Sequence, residues 1–261
     1  MNQPWSDFLT SPLKGRIAKP RRTGITMIID KGLSIHETSA LFDIAAPYLD
    51  FLKLTFGTTV FYQPQILKQK VSLAEQNQIF LYPGGTFFEI AFWQGKTDLY
   101  FETLVQFGFK WVEISDGTLT IENGKRQKLI TQAISYDLQV ITEVGKKDAH
   151  DQPEIEYLVE QARSDLEMGA QWVIIEGRES GQGIGIFDRS GCILETKVSA
   201  ISEKLPSHQI IWEAPLKNQQ AELITDFGPN VNLGNIPPSE ALALEALRNG
   251  FRADTWKTCL K

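Results

Sequence analysis

The sequence contains very little cysteine. Of its 261 residues only Cys192 and Cys259 are cysteines, and they lie far apart without the spacing of paired metal ligands. This scarcity argues against a disulfide-stabilised scaffold and against a thiolate zinc site. We therefore expect two free thiols in a reducing cytoplasm.

Positive charge and long apolar runs are scarce as well. The 26 lysines and arginines are outnumbered by 32 aspartates and glutamates, which gives a net charge of −6 and a pI near 5.2. This balance offers no basic surface to nucleic acid. No apolar run approaches the roughly 20 residues that a membrane span needs, and residues 1–7 lack the features of a secretion signal. We predict a cytoplasmic protein that binds neither nucleic acid nor membrane.

The rest of the sequence alternates between strand-like and helix-like segments. Eight short runs are apolar on both faces, as in a parallel sheet covered by helices. The predicted strands are 23–30, 51–56, 78–82, 111–115, 139–144, 172–176, 209–213 and 230–233. Between them apolar residues recur every three to four positions, which is typical of amphipathic helices. The predicted helices are 34–46, 63–76, 87–107, 125–136, 153–168, 197–205, 218–227 and 239–249.

Eight such pairs in one chain of this length favour a single (β/α)8 TIM barrel over residues 23–261. An open sheet stays an alternative, because the number of strands does not prove closure. Residues 1–22 are polar and contain Pro4, Pro12 and Pro20. They are predicted to form an N-terminal arm rather than an element of the barrel.

Carboxylates recur where the apolar runs end. Five runs finish in an acidic residue followed by a polar, turn-like tail; these residues are Asp30, Glu113, Glu143, Glu176 and Glu213. A carboxylate is costly to bury alone. Because parallel strands end at the same rim, we expect these groups to converge with cations or a metal at the carboxyl end of the barrel.

Strand alternation predicts which side chains share the interior. In the fifth strand Glu143 and Lys147 are in phase if the strand stays extended, and Lys146 then points toward the helices. The same alternation places Lys53 inside, and it places Glu176 and Arg178 on one face. A network of salt bridges that only keeps buried charges paired is the alternative interpretation.

Seven short motifs occur in the order found in one enzyme family. They are Gly84-Gly85-Thr86, Glu113-Ile114-Ser115-Asp116-Gly117-Thr118, Glu143-Val144-Gly145-Lys146-Lys147-Asp148, Glu176-Gly177-Arg178-Glu179-Ser180-Gly181, Glu213-Ala214-Pro215, Asn230-Val231-Asn232-Leu233-Gly234-Asn235-Ile236 and Leu244-Glu245-Ala246-Leu247-Arg248. From about Lys19 to Trp256 the chain resembles the phosphosulfolactate synthase family of coenzyme M biosynthesis. Relatives of that family include bacterial sulfolactate-pathway proteins and plant heat-stress-associated proteins.

The resemblance implies a (β/α)8 lyase that adds sulfite to phosphoenolpyruvate with the help of Mg²⁺, giving (2R)-phospho-3-sulfolactate. Strand-end carboxylates would supply the metal ligands; the candidates are Glu113, Glu143, Glu176 and Glu213. Lys147 would protonate C2 of the substrate, a role that suits a lysine whose pKa is lowered. Its alternative role is that of an ion-pair partner for Glu143 or Glu176. The expected partners are the two substrates and further copies of the chain.

Further residues are candidates for binding the anionic substrate. Lys53 belongs with the catalytic cations, and Arg178 suits a phosphate or sulfonate, although a structural clamp on Glu143 or Glu213 is equally consistent. Behind the eighth strand, backbone amides favour a phosphate site. The binding candidates are Asn232, Gly234, Asn235, Gly84, Gly85 and Ser180. The glycine-rich run 181–185 is predicted to form a mobile loop over the site.

Two departures from the family pattern keep other functions open. Thr55 and Gly177 stand where the family commonly has glycine and alanine. Thr55 would narrow the mouth, which favours a related barrel enzyme acting on another phosphorylated or carboxylated small molecule. A non-catalytic stress or interaction protein is the third hypothesis, and charge retained at the mouth argues against it.

Overall fold

The computed structural model describes Trp5 and residues 7–260 of the chain. Eight parallel strands form one sheet in the order β3-β2-β1-β8-β7-β6-β5-β4. The strands are β1 (Thr26–Asp30), β2 (Phe51–Leu54), β3 (Phe80–Pro83), β4 (Trp111–Ser115), β5 (Gln139–Val144), β6 (Trp172–Ile175), β7 (Ile210–Glu213) and β8 (Asn232–Ile236). With helices between successive strands, the sheet makes a nearly closed (β/α)8 barrel, which confirms the predicted fold class.

The seam of the barrel lies between β3 and β4, which share no ladder in the part of the chain described. Side chains bridge this seam. The Gly85 amide, just after β3, donates to Glu113 Oε1 of β4 at 2.5 Å. At the other end, the rings of Phe80 and Trp111 lie 5.2 Å apart. A Cβ on Gly85 would lie 2.2 Å from Ser115 Oγ, so only glycine allows the two strands to approach this closely.

Helices cover the outside of the barrel. They are α1 (Ile35–Ala45), α2 (Pro64–Gln76), α3 (Gly85–Trp93), α4 (Thr97–Phe107), α5 (Asn123–Ser135), α6 (Ile155–Glu167), α7 (Glu195–Ser202), α8 (Lys217–Phe227), α9 (Ala241–Arg248) and α10 (Ala253–Trp256). The single helix predicted over 87–107 is wrong: the chain turns at Gly95, whose φ of 67° ends α3 before α4 begins. The short helix α10 was not predicted.

The interior of the barrel is layered. Near the amino ends of the strands, Phe51, Trp111 and Trp172 pack together with ring centroids 5.1 to 5.7 Å apart. Apolar side chains such as Ile174 and Ile211 belong to the same interior cluster. This filling closes the barrel from below, so the charged side chains above it lie in a cup that opens only at the carboxyl ends of the strands.

The described part of the predicted arm, residues 7–22, contains no helix or strand. It is tied to the amino-terminal side of the barrel by two buried ion pairs, Arg16–Glu245 at 3.0 Å and Arg21–Asp50 at 2.8 Å. Residues 1–4 and 6 of the predicted arm lie outside the described residues. Among the residues described, no helix combines the length and the apolar character that a membrane crossing requires.

Candidate active site

Four of the five strand-end carboxylates meet at the carboxyl rim. Glu113, Glu143, Glu176 and Glu213 are buried there and line one cavity of about 990 Å³. Asp30 behaves differently: its carboxylate turns outward to form an ion pair with Lys70 of α2. The sheet alternation explains the difference, because Asp30 follows the inward-facing Ile29, which lines the same cavity.

Lys53 occupies the centre of the cup. Its Nζ lies 2.9 Å from Glu113 Oε2, 3.0 Å from Glu143 Oε2 and 3.4 Å from Glu213 Oε1. Burial alone would lower the pKa of Lys53, but attraction to these three carboxylates outweighs burial and holds the pKa well above its usual value. Lys53 therefore stays positively charged and holds together groups from three strands.

Three of the glutamates form a group suited to a cation. One carboxylate oxygen from each of Glu143, Glu176 and Glu213 lies within 4.8 Å of the others. Glu176 Oε2 is buried and accepts no hydrogen bond. Burial and the neighbouring carboxylates of Glu143 and Glu213 raise the pKa of Glu176 well above its usual value. Glu143 Oε1 is likewise buried without a hydrogen bond. A hard divalent cation would satisfy both oxygens and relieve the crowding of the carboxylates, so these residues fit Mg²⁺.

Glu113 stands apart from this group. Oε1 is occupied by the Gly85 amide, and Oε2 faces Lys53. Burial raises its pKa to about 7, although Lys53 pulls in the opposite direction. The structure therefore does not bring Glu113 among the clustered candidate metal ligands, and its place is at the seam of the barrel.

Lys147 lies in the cavity and Lys146 outside it. Lys147 Nζ is 3.2 Å from Glu143 Oε1, 3.2 Å from Glu89 Oε1 and 3.2 Å from Thr86 Oγ1. Lys146 Nζ instead donates to the carbonyls of Asp116 and Leu119, both at 2.7 Å. The two lysines are thus separated as strand alternation suggested, although β5 ends at Val144 and Gly145 has a φ of 113°. The turn at Gly145, and not an extended strand, aims Lys147 inward.

The residues around Lys147 raise its pKa, whereas the predicted role of proton donor favoured a lowered pKa. Burial lowers the pKa, but the carboxylates of Glu143, Glu176 and Glu89 outweigh it, and the pKa ends above its usual value. The ammonium group is therefore charged and carries a proton.

Arg178 and the other rim residues surround the opening. The guanidinium of Arg178 is exposed and donates to the Lys147 carbonyl at 3.0 Å. Its backbone amide, and not its side chain, donates to Glu176 at 2.8 Å and to Glu213 at 3.2 Å. Among the described residues, the guanidinium thus forms no ion pair with Glu143 or Glu213, and the alternative of a clamp on those two glutamates is not supported. Four further binding candidates line the cavity: Gly84, Gly85, Ser180 and Asn235.

Two of the predicted binding residues do not line the cavity. Asn232 lies at the amino end of β8, where it accepts from the Ile25 amide at 2.9 Å and donates to the Ile210 carbonyl at 2.8 Å. Its amide is therefore used at the opposite end of the barrel. Gly234 lies beneath the cup, and an added Cβ would meet Ile211 Cγ2 at 3.2 Å. Both assignments are corrected: of the three candidates in this strand only Asn235, with a φ of 56°, turns into the mouth.

The loop of residues 181–185 is held by several hydrogen bonds. Gln219 Nε2 donates to the Gly181 carbonyl at 2.7 Å, and the Gly185 amide donates to Gln152 Oε1 at 3.1 Å. Ile184 of this loop lines the cavity. The prediction that the loop covers the site fits this position, and its mobility stays a prediction.

One buried residue of the site was missed in the sequence. Glu89 lies in α3 and contacts Lys147, and only 2% of its surface is exposed. The signal was present, since Glu89 is the one charged residue in the apolar run 86–93. A single acidic residue within such a run is costly to bury without partners. Its presence therefore indicates a functional or structural role.

Comparison with known proteins shows similarity to one enzyme family. The sequence model of the (2R)-phospho-3-sulfolactate synthase family matches residues 14–254. The phosphosulfolactate synthase of Methanothermobacter thermautotrophicus is 44% identical over 255 residues, covering 95% of this chain and 96% of that protein. The phosphosulfolactate synthase of Bacillus subtilis is 38% identical over 248 residues, covering 92% and 95%.

Solved structures add a likeness in fold alone. The 3-hexulose-6-phosphate synthase of Salmonella typhimurium superposes with a TM-score of 0.54 at 14% identity, covering 90% of this chain and 98% of that one. A phosphonopyruvate hydrolase gives a TM-score of 0.53 at 14% identity, covering 93% and 86%. Identities this low carry no information about substrate.

Proposed function

The chain belongs to the (2R)-phospho-3-sulfolactate synthase family, and on that premise we propose that it is a carbon–sulfur lyase that joins sulfite to phosphoenolpyruvate. The observation that carries the proposal is the cup of four buried glutamates with Lys53 and Lys147 at the carboxyl rim. Free, exposed Cys192 and Cys259 support a reducing cytoplasmic location.

The reaction makes two bonds at the carbon–carbon double bond of phosphoenolpyruvate. The sulfur lone pair of sulfite attacks the methylene carbon C3, and the π electrons move through C2 toward the carboxylate. The resulting enediolate-like dianion then takes a proton at C2. No oxidant or leaving group is required, because one C–S bond and one C–H bond replace the π bond.

We propose Lys147 as the proton donor. It is charged, it faces the cavity, and it lies beside the group of three carboxylates. Protonation by a positioned ammonium group is ordinary general-acid catalysis. Arg178, exposed at the rim, would bind the phosphate or the sulfonate with its guanidinium group.

We also propose Mg²⁺ as the cofactor, held by Glu143, Glu176 and Glu213. Both substrates are anions that would enter a cavity lined by four glutamates. A bound divalent cation supplies Lewis-acid stabilisation for negative charge that develops on the substrate carboxylate. Lys53 would keep two of these glutamates in place, since its Nζ contacts Glu143 and Glu213.

The test is an assay of the purified protein with phosphoenolpyruvate, sulfite and Mg²⁺, with the product identified by mass and chirality. We expect phospho-3-sulfolactate to form, its formation to stop in excess chelator and to return with Mg²⁺. Full activity in excess chelator would remove the metal from the mechanism. Absence of the product, with turnover of other phosphorylated or carboxylated acids, would overturn the substrate assignment.

Metal binding has a separate readout. Calorimetric titration with Mg²⁺ should show binding to the wild-type protein and weaker binding to Glu176→Gln. Glu102→Gln makes the same chemical change at an exposed position of α4 and should bind as the wild type does. Equal affinity for all three proteins would place the cation elsewhere.

One observation favours a second candidate, a related enzyme acting on another phosphorylated or carboxylated small molecule. Thr55 lines the cavity, and its Oγ1 donates to the Asp30 carbonyl at 3.0 Å. The backbone of Thr55 does not have a positive φ, whereas Phe56 has a φ of 56° and Gly57 has a φ of 67°. Its effect would therefore be steric. This alternative would be supported if the wild type has a higher kcat/KM for another phosphorylated or carboxylated acid than for phosphoenolpyruvate. Thr55→Gly should then raise kcat/KM for phosphoenolpyruvate relative to that acid.

A further inference from the structure

Glu89 is a carboxylate buried on the helix side of the cup. It lies in α3, between Phe88 and Ile90, with 2% of its surface exposed. A carboxylate in such surroundings persists only if its oxygens are satisfied by specific partners. The hydrogen-bond partners of Glu89 therefore indicate its role.

Each oxygen of Glu89 has two hydrogen-bond donors. Oε1 accepts from Ser115 Oγ at 2.8 Å and from Lys147 Nζ at 3.2 Å. Oε2 accepts from the amides of Thr118 and Leu119, at 2.7 Å and 3.2 Å. The loop amides and Ser115 fix the carboxylate, so the oxygen presented to Lys147 has a defined position.

Lys147 is held from several sides. Its backbone amide donates to the Gly117 carbonyl at 2.9 Å, and a Cβ on Gly117 would lie 3.1 Å from Nζ, so the side chain runs directly over that glycine. Across the cavity Glu143 Oε1 attracts Nζ at 3.2 Å and Glu176 Oε2 lies 4.0 Å away. Without Glu89 on the opposite side, these charges would draw the ammonium closer to Glu176.

We propose that Glu89 is a positioning residue that holds the Lys147 ammonium beside Thr86 and Glu143 and away from Glu176, where it can reach C2 of the substrate. The inference rests on the proposed function, in which Lys147 donates the proton. Glu89 itself does not line the cavity and touches no reacting atom. Its contribution is the geometry of another residue, to which proton transfer is sensitive.

The kinetic test is a double-mutant cycle. Glu89→Gln keeps the size of the side chain and should lower kcat by roughly 10- to 100-fold, since a displacement of about 1 Å can cost that much. The KM for phosphoenolpyruvate should change little. In the Lys147→Ala background the same substitution should cause no further loss, because there is no ammonium left to position. Glu102→Gln, an exposed change of the same kind in α4, should leave kcat unchanged.

The cycle can contradict the proposal in two ways. Equal losses from Glu89→Gln in the wild-type and Lys147→Ala backgrounds would mean that Glu89 acts independently of Lys147. A raised KM with unchanged kcat would mean that Glu89 shapes substrate binding instead. Glu89→Asp, which keeps the charge on a shorter side chain, should recover part of the kcat lost in Glu89→Gln, and no recovery would also count against the proposal.

A structural readout separates this inference from the proposed function. Crystal structures of the wild type and of Glu89→Gln should show Lys147 Nζ displaced in the variant, from Thr86 toward Glu176, with the barrel unchanged. That result would support positioning even if the wild type fails to convert phosphoenolpyruvate and sulfite, an outcome that would overturn only the proposed function. An unmoved Lys147 with a displaced loop at residues 117–119 would overturn the inference and make Glu89 a loop anchor.

Discussion

At the scale of single residues, the two neighbouring lysines after β5 have opposite environments. Lys147 faces three glutamates inside the cup, whereas Lys146 donates to the Asp116 and Leu119 carbonyls outside it. Because the two side chains share a charge, a length and a stretch of backbone, each is a natural control for the other.

We predict that Lys147→Ala lowers turnover by roughly 10²- to 10⁴-fold, the usual contribution of a general acid. Lys146→Ala should cost much less, because it removes only contacts to a loop. Steady-state rates and thermal melts of both variants check this, with the melts showing that each protein is folded. A larger loss in Lys146→Ala would transfer the proton-donor role to Lys146.

Glu113 gives a prediction for pH. Its pKa in the folded protein is raised to about 7, chiefly by burial, so between its usual pKa of 4.5 and pH 7 the folded state binds more protons than the unfolded state. Stability should therefore fall as pH rises through this window, by at most about 1.4 kcal/mol per pH unit from this group. Glu113→Gln should make the decline shallower.

Urea denaturation between pH 5 and pH 8, in chelator, measures the effect. The amide oxygen of the variant can still accept from Gly85, so the seam is preserved. Glu102→Gln should keep the slope of the wild type, since that side chain is exposed. Identical slopes for wild type and Glu113→Gln would show that Glu113 does not take up the proton.

At the scale of secondary structure, the end of β5 determines where the site residues point. Val144 is the last residue of the strand, and Gly145 adopts a φ of 113° that L-residues rarely take. A Cβ at this position would also lie 2.9 Å from Glu176 Cβ. The turn therefore requires glycine for its backbone and for its closeness to β6.

We expect Gly145→Ala to destabilise the protein by about 1 to 3 kcal/mol through backbone strain and to weaken binding of the proposed Mg²⁺ by displacing Glu176. Gly124→Ala in α5 is the matched control, because nothing lies within 4 Å of its added Cβ and its φ is negative. There alanine should be neutral or slightly stabilising. Chemical denaturation and calorimetry check both effects, and equal stabilities of the two variants would contradict the argument.

At the scale of the whole molecule, the N-terminal segment is attached to the amino-terminal side of the barrel by ion pairs. Arg21 Nη2 lies 2.8 Å from Asp50 Oδ2, and both side chains are almost fully buried. Asp50 also accepts from the Thr26 amide of β1 at 2.8 Å. Loss of Arg21 would leave this carboxylate buried with its charge unpaired.

Arg21→Ala should lower the free energy of unfolding by about 3 kcal/mol, the scale of a broken buried pair. Lys217→Ala breaks an ion pair with Asp254 whose side chains are 44% and 34% exposed, and it should cost less than about 1 kcal/mol. Urea denaturation of both variants compares them directly. Similar losses would show that the arm contributes little to stability. Self-association of the chain stays a prediction.

The sequence-based predictions were accurate where local interactions determine the structure and less accurate where contacts between distant parts of the chain do. Strand 111–115 and strand 139–144 agree with the structure at both ends, because each is a compact apolar run bounded by polar residues. The predicted helix 87–107 is two helices, because packing and Gly95 override its continuous periodicity. Asn232 was predicted to lie at the mouth. It is the first residue of β8 and therefore lies at the opposite end of the barrel.

The sequence by itself determined the eight strand–helix pairs, because the alternation of apolar periods is local, whereas the tertiary structure decided that the sheet curves into a nearly closed barrel. The sequence also predicted that Glu143, Glu176 and Glu213 gather at the carboxyl rim, because each lies within one residue of the end of its strand. Only the tertiary structure decided that Asp30 pairs with Lys70, that Glu113 pairs with Lys53 and Gly85, and that Glu89 of α3 reaches Lys147. These choices depend on distances between elements far apart in the chain, which no local pattern encodes.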